Sequence, residues 1–482
     1  MKEAQRQAPS SMADVYIVYS NRSDAGPQAA SRLAQTLTSA GWTVWLDDRI
    51  VGNFGDEIRR QLGSARCVVA VWSSGASESP YVCDELDSAR RRDVPIIGVR
   101  VDDCEAPFGY GQISAVDLRG WSGSVDHPEY RKLLRKLSSV VPHKKPARAT
   151  SIAGGALTLP ASFFSVSSYE TRLQPLGAVK VLRLFEARAV LISAYDLHPT
   201  RRPDEMMSEL TQLHEQGAYV IVDSGNYEAE RKGEQEAWTP AAFAAALEGI
   251  PHDSAFSFDV MDPPGNSKDA IEMIVAGVNA DKDRIGPNIA PIVHAPKAGA
   301  DQRDPNALPE VIYGVAERIE PMLVAVPERE LGPGLFASAN MVRRIRNALD
   351  RLPFYQPLHL LGTGNPWSIA IYSAAGADSF DGLEWCRMAA DSFSKSLYHA
   401  QLLPLFTEQD VHASSPVARE ALADPNVGFA GKLAFHNLEV LSSFNAELQA
   451  STKANRLEAL VAVMLGPGKT PLLKAEVPDL FE

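Results

Sequence analysis

The 482-residue chain is 45% apolar and 22% charged, which is ordinary for a globular protein and excludes a disordered, collagen-like or coiled-coil chain. Its length exceeds what one hydrophobic core usually supports, so we expect at least two domains. The net charge of −13 is unevenly spread: residues 1–150 hold 20 basic and 18 acidic residues, and the rest hold 27 and 42. The acidic remainder is a poor general surface for nucleic acid unless its basic residues cluster.

The sequence predicts neither a targeting signal nor a closely spaced cysteine pair. No apolar run approaches the ~18 residues that a membrane helix needs, and the first residues are polar, so we predict a cytoplasmic protein with no membrane partner. The four cysteines are far apart and form no C-x-x-C pair. We therefore expect neither disulfides nor a structural metal.

The first region alternates short apolar runs with helical patterns, which predicts a βα repeat. The predicted strands are Val15–Ser20, Thr43–Leu46, Cys67–Trp72 and Pro95–Arg100. Their apolar residues are continuous rather than alternating, as in strands that are covered on both faces. A small, doubly wound parallel sheet is therefore expected, with its site beyond the carboxyl ends of the strands.

Residues 142–160 have no sustained period and contain proline and glycine, which predicts a linker. About eight apolar strands separated by helix-length segments follow, a spacing typical of a (β/α)8 TIM barrel over 161–465, with a tail at 466–482. The predicted strands are Val181–Phe185, Val190–Ala194, Ala218–Val222, Ala255–Phe258, Ala290–Val293, Met322–Val326, Leu358–Leu361 and Ala377–Phe380.

Four carboxylates come just after predicted barrel strands: Asp223, Asp259, Glu328 and Asp381. A barrel gathers the side chains at its strand ends into one mouth, so we predict that these four form a site. The alternative is that they cap the helices that follow.

The segment from Asp14 to about Val141 resembles bacterial TIR domains, with motifs in the family's order. They are Val15–Asp24, Val44–Asp48, Ile50–Asp56 and Ser77–Leu86. The family's W-x-x-x-E reads Tyr81-Val82-Cys83-Asp84-Glu85 here. The resemblance implies a flavodoxin-like TIR domain over residues 12–141.

TIR domains of this type commonly hydrolyse or cyclise NAD, and the resemblance places their catalytic glutamate at Glu85. A carboxylate suits this chemistry because loss of nicotinamide leaves a positively charged, oxocarbenium-like sugar. NAD is then a substrate, and no cofactor or metal is needed. The residues expected to bind NAD are Tyr19, Ser20, Trp45, Asp47 and Tyr81. Two alternatives stay open: Glu85 is a solvated carboxylate in the first turn of a helix, or the domain only assembles.

The second region resembles tRNA-guanine transglycosylases over nearly its whole length. The family's D-S-G-G-(F/Y)-Q reads Asp223-Ser224-Gly225-Asn226-Tyr227-Glu228, and its F-D-E reads Phe258-Asp259-Val260. The nucleophile strand, G-(I/V)-D-x-F-D in the family, reads Gly376-Ala377-Asp378-Ser379-Phe380-Asp381.

The resemblance assigns roles to the barrel residues. Asp381 matches the nucleophile that attacks the ribose carbon, and Asp223 would assist proton transfer. Asp259 would pair with the amidine edge of a purine or 7-deazapurine base, while Tyr227 and Leu361 would cover its faces. Glu328 is also expected to bind substrate. Tyr227 has the alternative role of a core aromatic at the barrel mouth.

Several departures from the transglycosylase pattern place its base preference in question. The family's G-I-V-Q-G reads Pro291-Ile292-Val293-His294-Ala295, and its base-reading G-G-L-A-V-G-E has gained Pro327, which removes an N–H donor. The family's structural zinc uses three cysteines and a histidine, but only His436 remains and no cysteine follows Cys386. We therefore predict that the zinc is absent and that His436 packs or caps a helix.

Both regions thus resemble catalysts that break N-glycosidic bonds of ribose. We predict a TIR effector that releases nicotinamide from NAD in antiphage defence, regulated by a barrel that senses a nucleobase or nucleic acid. Homo-oligomers are expected, because TIR sites of the resembling families are often completed by a neighbouring subunit. The alternative is an active tRNA or DNA transglycosylase with the TIR domain as an oligomerisation module, and a third possibility is that neither site turns over.

Overall fold

The computed structural model describes residues 13–46, 61–124, 127–141, 146–169, 171–299 and 302–481. The chain divides into two compact units. One comprises the chain up to Arg148 together with Asp350–Tyr355, and the other comprises Ala149–Leu349 and Gln356 onward. No helix among the described residues is long and apolar enough to cross a membrane.

The first unit contains a five-stranded parallel sheet in the order β2-β1-β3-β4-β5. The strands are β1 (Val15–Val18), β2 (Val44–Leu46), β3 (Cys67–Trp72), β4 (Ile96–Arg100) and β5 (Val116–Asp117). The helices are α1 (Ala25–Ser39), α2 (Ser74–Ser77), α3 (Pro80–Arg91) and α4 (Pro128–Val140). All four predicted strands are present, and β5, which was not predicted, has only two residues.

The central strands β1 and β3 are buried along their whole length. The two strands are apolar along their whole length because helices cover both faces of a doubly wound sheet. The helix α3 buries Val82, Leu86 and Ala89, which recur at helical spacing along one face. This burial fixes the rotation of α3 and therefore the direction of every other side chain on it.

The second unit is built on eight parallel strands in the order β12-β11-β10-β9-β8-β15-β14-β13. A parallel bridge between Ile292 and Ala325 joins the two ends of this order, so the sheet closes into a TIM-type barrel. The strands are β8 (Ala161–Val166), β9 (Ala189–Ser193), β10 (Tyr219–Asp223), β11 (Ser254–Phe256), β12 (Ile289–Ala290), β13 (Val324–Pro327), β14 (Leu358–Leu361) and β15 (Ser379–Gly382).

Helices alternate with these strands and cover the barrel. They are α5 (Pro175–Phe185), α6 (Ala194–Leu197), α7 (Glu205–Glu215), α8 (Asn226–Arg231), α9 (Pro240–Leu247), α10 (Ser267–Arg284), α11 (Leu308–Ile319), α12 (Gly334–Leu349), α13 (Pro366–Ala375), α14 (Glu384–Arg387), α15 (Pro416–Ala423), α16 (Phe429–Lys453) and α17 (Leu457–Glu476). A short antiparallel pair, β16 (Met388–Ala390) and β17 (Leu397–His399), follows the last barrel strand.

The sequence prediction was wrong about the first barrel strand. Residues Val181–Phe185 are the end of helix α5, whose apolar residues gather on one face. The first strand is Ala161–Val166, which pairs with β9 on one side and β15 on the other. A short apolar run does not distinguish a buried strand from the buried face of a helix, which explains the error.

The predicted linker and tail are also shorter than expected. Residues 151–158 form a hairpin of β6 (Ser151–Ile152) and β7 (Leu157–Thr158), and Ile152, Leu157 and Leu159 join the barrel core. The predicted tail, residues 466–482, contains the second half of α17 and the buried residues Leu473, Val477 and Leu480. Both segments stay with the barrel because they bury apolar side chains that the sequence pattern did not reveal.

Candidate functional site

Glu85 lies on helix α3, at the edge of the face that packs on the sheet. It is six residues into the helix, so it lies in the second turn rather than in the first turn that the alternative required. The spacing Val82, Glu85, Ala89 keeps it beside the buried residues, and its side chain is half-buried. Helix α3 therefore holds the Glu85 carboxylate close to the sheet instead of fully in solvent.

An aromatic pair lies beside Glu85. The Tyr16 hydroxyl donates a hydrogen bond to Glu85 Oε1 at 3.3 Å, and the Tyr16 ring stacks on Trp45 with 4.7 Å between ring centroids. Tyr16 is in β1 and Trp45 in β2, in register with each other. The structure thus brings the predicted Trp45 and Glu85 together through Tyr16, which the sequence did not single out.

The other predicted NAD-binding residues are less closely grouped. Ser20 is buried, and its Oγ accepts a hydrogen bond from the Arg22 N–H, whereas Tyr19 is half-buried. Tyr81 is 78% exposed, so it does not belong to the aromatic pair next to Glu85. Asp47 lies outside the described residues.

The mouth of the barrel contains a cavity of about 550 Å³. All six barrel residues that the sequence predicted line it: Asp223, Tyr227, Asp259, Glu328, Leu361 and Asp381. They come from five different strand ends, as expected for a barrel that gathers its site at the carboxyl face. The structure thus places the six predicted residues around one cavity.

Asp381 is surrounded by three hydrogen-bonding groups. Its Oδ2 accepts from the Ser165 hydroxyl at 2.7 Å, and its Oδ1 accepts from the Gly362 N–H at 2.9 Å. His359 Nε2 is 3.2 Å from Oδ1, while its Nδ1 is 2.9 Å from the Ser379 hydroxyl. These contacts hold the carboxyl group in one orientation, as catalysis by a nucleophile would require.

Asp223 lies in the same cavity as Asp381, and its surroundings raise its pKa. Burial and the negative charges of Glu228, Asp259 and Asp381 raise its pKa well above the usual value. The Gly225 N–H donates a weak hydrogen bond of 3.4 Å to its Oδ2. The site therefore places Asp381, whose carboxyl group accepts hydrogen bonds from the Ser165 hydroxyl and the Gly362 N–H, in the same cavity as Asp223, whose pKa is raised. Two carboxyl groups in such different environments suit the separate tasks of nucleophile and proton donor.

Asp259 belongs to a buried chain of charged groups. Its Oδ2 is 2.8 Å from His294 Nε2, and His294 Nδ1 is 2.7 Å from Glu330 Oε1. Burial opposes the imidazolium, but hydrogen bonds and charges of the two carboxylates outweigh it and raise the pKa of His294 to about 9. Asn226 Nδ2 also donates to Asp259 Oδ1 at 2.6 Å. Each oxygen of Asp259 thus already has one partner.

The remaining predicted residues surround the opening of the cavity. Arg231 and Arg329 both lie over the Tyr227 ring, with their guanidinium carbons 5.1 and 5.2 Å from its centroid. The Tyr372 hydroxyl donates to Glu328 at 2.9 Å, and burial raises the pKa of Glu328. Tyr227 is half-buried at the mouth, so its ring face is held by cations rather than by core packing.

His436 lies outside this cavity. Its Nδ1 is 2.7 Å from Asp410 Oδ1, and its Nε2 is 2.7 Å from the Ala390 carbonyl oxygen. The neighbouring Asn437 side chain bonds to the backbone of Trp385, Met388 and Ala390. The transglycosylase pattern would make His436 a zinc ligand. In this structure both of its ring nitrogens lie within hydrogen-bonding distance of protein oxygens.

Comparison with known proteins agrees with this geometry. Residues 15–134 match the family model described as "TIR domain". The chain carries a TIR domain. It is also 23% identical over 209 residues to a tRNA-guanine(15) transglycosylase of Methanothermobacter thermautotrophicus, a match that covers 42% of this chain and 31% of the relative. The chain thus matches about a third of that relative's length, which supports a distant likeness to transglycosylases.

Several residues that line the cavity, and His359, which contacts Asp381, were not predicted from the sequence. Ser165 and Ser167 were missed because the first barrel strand was misassigned. His359 is buried in the middle of β14, where an apolar residue is the usual occupant. Glu384 follows the nucleophile strand, and burial raises its pKa to about 7. A polar residue inside an otherwise apolar strand is the signal that would have revealed His359.

The charge of His294 predicts a pH dependence of stability. The pKa of His294 is about 9 in the folded protein and 6.5 in the unfolded chain, so protonation of this residue stabilises the folded barrel. The stabilisation is complete below about pH 6.5 and is lost as the pH rises through about 9. The difference is worth roughly 3 kcal/mol. Denaturant unfolding of wild type and His294→Gln should show a stability gap that is widest near pH 6 and closes above pH 9. A gap that does not vary with pH would contradict a charged His294.

Proposed function

We propose that this protein is an NAD-consuming TIR effector whose barrel senses a nucleobase or nucleoside, and that it acts in antiphage defence. The observation that carries the proposal is the position of Glu85 in a chain with a TIR family match. Its carboxylate is half-buried, receives the Tyr16 hydroxyl and lies next to an aromatic pair. A carboxylate held in this way suits a ribose that becomes positively charged as nicotinamide leaves.

The charge distribution of the barrel supports a small ligand rather than a polyanion. Six carboxyl groups line the cavity, those of Asp223, Glu228, Asp259, Glu328, Asp381 and Glu384. Arg329, Arg387 and His294 are the basic residues in the same lining, so carboxyl groups outnumber them, and residues 151–482 hold 42 acidic and 27 basic residues. Phosphates would be repelled by such a mouth, whereas a base or nucleoside that donates hydrogen bonds fits it.

The alternative function is an active transglycosylase with the TIR domain as an assembly module. The pairing of Asp381 with Asp223 favours this reading, because one carboxyl is surrounded by donors and the other has a raised pKa. Both proposed functions use the barrel cavity. In the sensing function the cavity only binds its ligand, whereas in the transglycosylase function it also cleaves the bond between base and ribose.

The proposal is tested by NAD turnover with and without a barrel ligand. Full-length protein is incubated with NAD alone, and then with added purine bases, purine nucleosides or total tRNA, and free nicotinamide is measured. We expect nicotinamide release to rise at least about tenfold with a base or nucleoside, a coupling of ordinary allosteric size. Incorporation of labelled guanine into tRNA without any NAD loss would instead support the alternative.

A further inference from the structure

Glu228 is a carboxyl group of the cavity to which neither proposed reaction assigns a role. It lies on α8 and is 6% exposed, yet it lines the cavity. Its Oε1 accepts the Ser167 hydroxyl at 2.7 Å. Its Oε2 and the Ser193 hydroxyl are both buried, and although Ser193 interacts with the Glu228 carboxyl, neither atom makes a hydrogen bond of normal geometry. Buried polar atoms of native proteins are normally well paired, so a ligand group that bonds to both atoms would complete this part of the cavity.

Strand β8 fixes where this pair lies relative to the nucleophile. Ser165 donates to Asp381, and Ser167, two residues further along the same side of the chain, donates to Glu228. Ser167 directly follows the last residue of β8, and two residues of chain span at most about 7 Å, so the two carboxyls flank the same part of the cavity. A sugar whose first carbon faces Asp381 would therefore present the substituents of its next carbon toward Glu228 and Ser193.

We propose that Glu228 and Ser193 form a subsite for the 2′-hydroxyl of a ribose, so that the barrel selects ribonucleosides over 2′-deoxyribonucleosides. The proposal rests on the proposed function, in which the barrel takes a base or nucleoside, and it names the sugar that accompanies the base. The 2′-hydroxyl is the group by which proteins distinguish ribose from deoxyribose. DNA would then be excluded as a ligand of this site.

The raised pKa of Glu228 favours a hydroxyl group of the ligand over an ammonium group as the partner of this carboxyl. Burial raises the pKa of Glu228, although the Ser167 hydroxyl opposes the shift. An ammonium group would need the ionised carboxylate, whereas a hydroxyl both donates and accepts and therefore pairs with either form of Glu228. It can also satisfy Ser193. Among the described residues, no group of three His, Cys, Asp or Glu side chains is arranged to hold a metal ion, so a bound cation is not the better occupant.

The test is calorimetric titration of the full-length chain with paired nucleosides. The probes are guanosine, adenosine and inosine, their 2′-deoxy counterparts, and the free bases. For wild type we expect at least one ribonucleoside to bind about tenfold more tightly than its 2′-deoxy partner, the scale of one hydrogen bond to a charged group. Glu228→Ala should abolish this preference by weakening the ribonucleoside, while affinity for the deoxynucleoside is retained.

Two further variants make the result specific. Glu228→Gln is nearly isosteric and keeps an accepting oxygen, so it should retain a reduced preference even if the alanine variant folds poorly. Glu328→Gln removes another carboxylate of the cavity, one that already accepts the Tyr372 hydroxyl, and should change both members of a pair equally.

The outcomes separate this inference from the proposed function. Equal affinity within every pair, or binding of bases without nucleosides, overturns the ribose subsite and leaves base sensing intact. A preference that survives in Glu228→Ala also overturns it. Failure of every base and nucleoside to bind overturns both the subsite and the sensing function of the barrel.

Discussion

Replacing Glu85 by glutamine should lower nicotinamide release from NAD by roughly 100-fold or more. The substitution keeps the size of the side chain and its contact with the Tyr16 hydroxyl, but removes the negative charge that would face the developing positive charge of the ribose. Removal of a single preorganised electrostatic contact typically costs 10²–10³ in kcat, or about 3–4 kcal/mol. The measurement is the rate of nicotinamide release under conditions in which wild type is active.

The matched control for this prediction is the adjacent residue Asp84. Its side chain is exposed on the same helix, so Asp84→Asn removes one charge from α3 without touching the packed face. We expect this variant to release nicotinamide at the wild-type rate. If Glu85→Gln were as active as Asp84→Asn, the carboxylate would have no electrostatic role, and the TIR domain would be an assembly module.

Replacing Asp378 by alanine should destabilise the barrel by about 3–5 kcal/mol, the usual cost of removing one partner of a buried ion pair. Asp378 and Arg346 are both essentially inaccessible to solvent, and Arg346 Nη2 is 2.9 Å from Asp378 Oδ2. The same oxygen accepts the Leu358 N–H at 3.0 Å. The alanine variant would therefore leave both a buried guanidinium charge and a backbone donor without their partner.

This ion pair also lies next to the strand that carries Asp381. Arg346 Nε donates to the Gly376 carbonyl, and Gly376 ends helix α13 with a φ of 111°, a conformation that suits glycine. Asp378 immediately precedes strand β15, which carries Asp381. The arginine on α12 thus contacts the turn from which β15 begins, and loss of Asp378 should also weaken ligand binding at the cavity.

The prediction is checked by the denaturant dependence of unfolding, with a surface pair as control. Lys180 and Glu205 form an exposed ion pair on neighbouring helices. Glu205→Gln should unfold at the wild-type denaturant concentration, because exposed pairs contribute little. An Asp378→Ala variant that unfolds with the control would show that the buried pair contributes no net stability.

Antiphage defence is a separate, cellular prediction of the proposed function. Cells that express the protein should lose NAD during phage infection, and cells that express Glu85→Gln should keep it. Normal NAD levels in infected cells that contain the wild-type protein would count against the effector role, even if the purified enzyme were active.

The sequence alone determined the parts of the fold that depend on local pattern. Continuous apolar runs located the four long strands of the TIR domain and most strands of the barrel, because strands covered on both faces have no polar side. Positions just after predicted strands placed Asp223, Asp259 and Asp381 in one group, since residues that follow successive strands meet at one end of a barrel. These inferences need only the chain order and the period of two or 3.6, whereas Glu85 was assigned through the resemblance to TIR domains.

Tertiary structure alone decided which polar groups act on one another. The misassigned first strand hid Ser165 and Ser167, and with them the contacts to Asp381 and Glu228. The charge on His294 depends on two carboxylates 35 and 36 residues away in the chain, and nothing local to residue 294 indicates them. Desolvation and pairing are set by neighbours in space, and they give chemically identical carboxyl groups different hydrogen-bond partners and different pKa shifts.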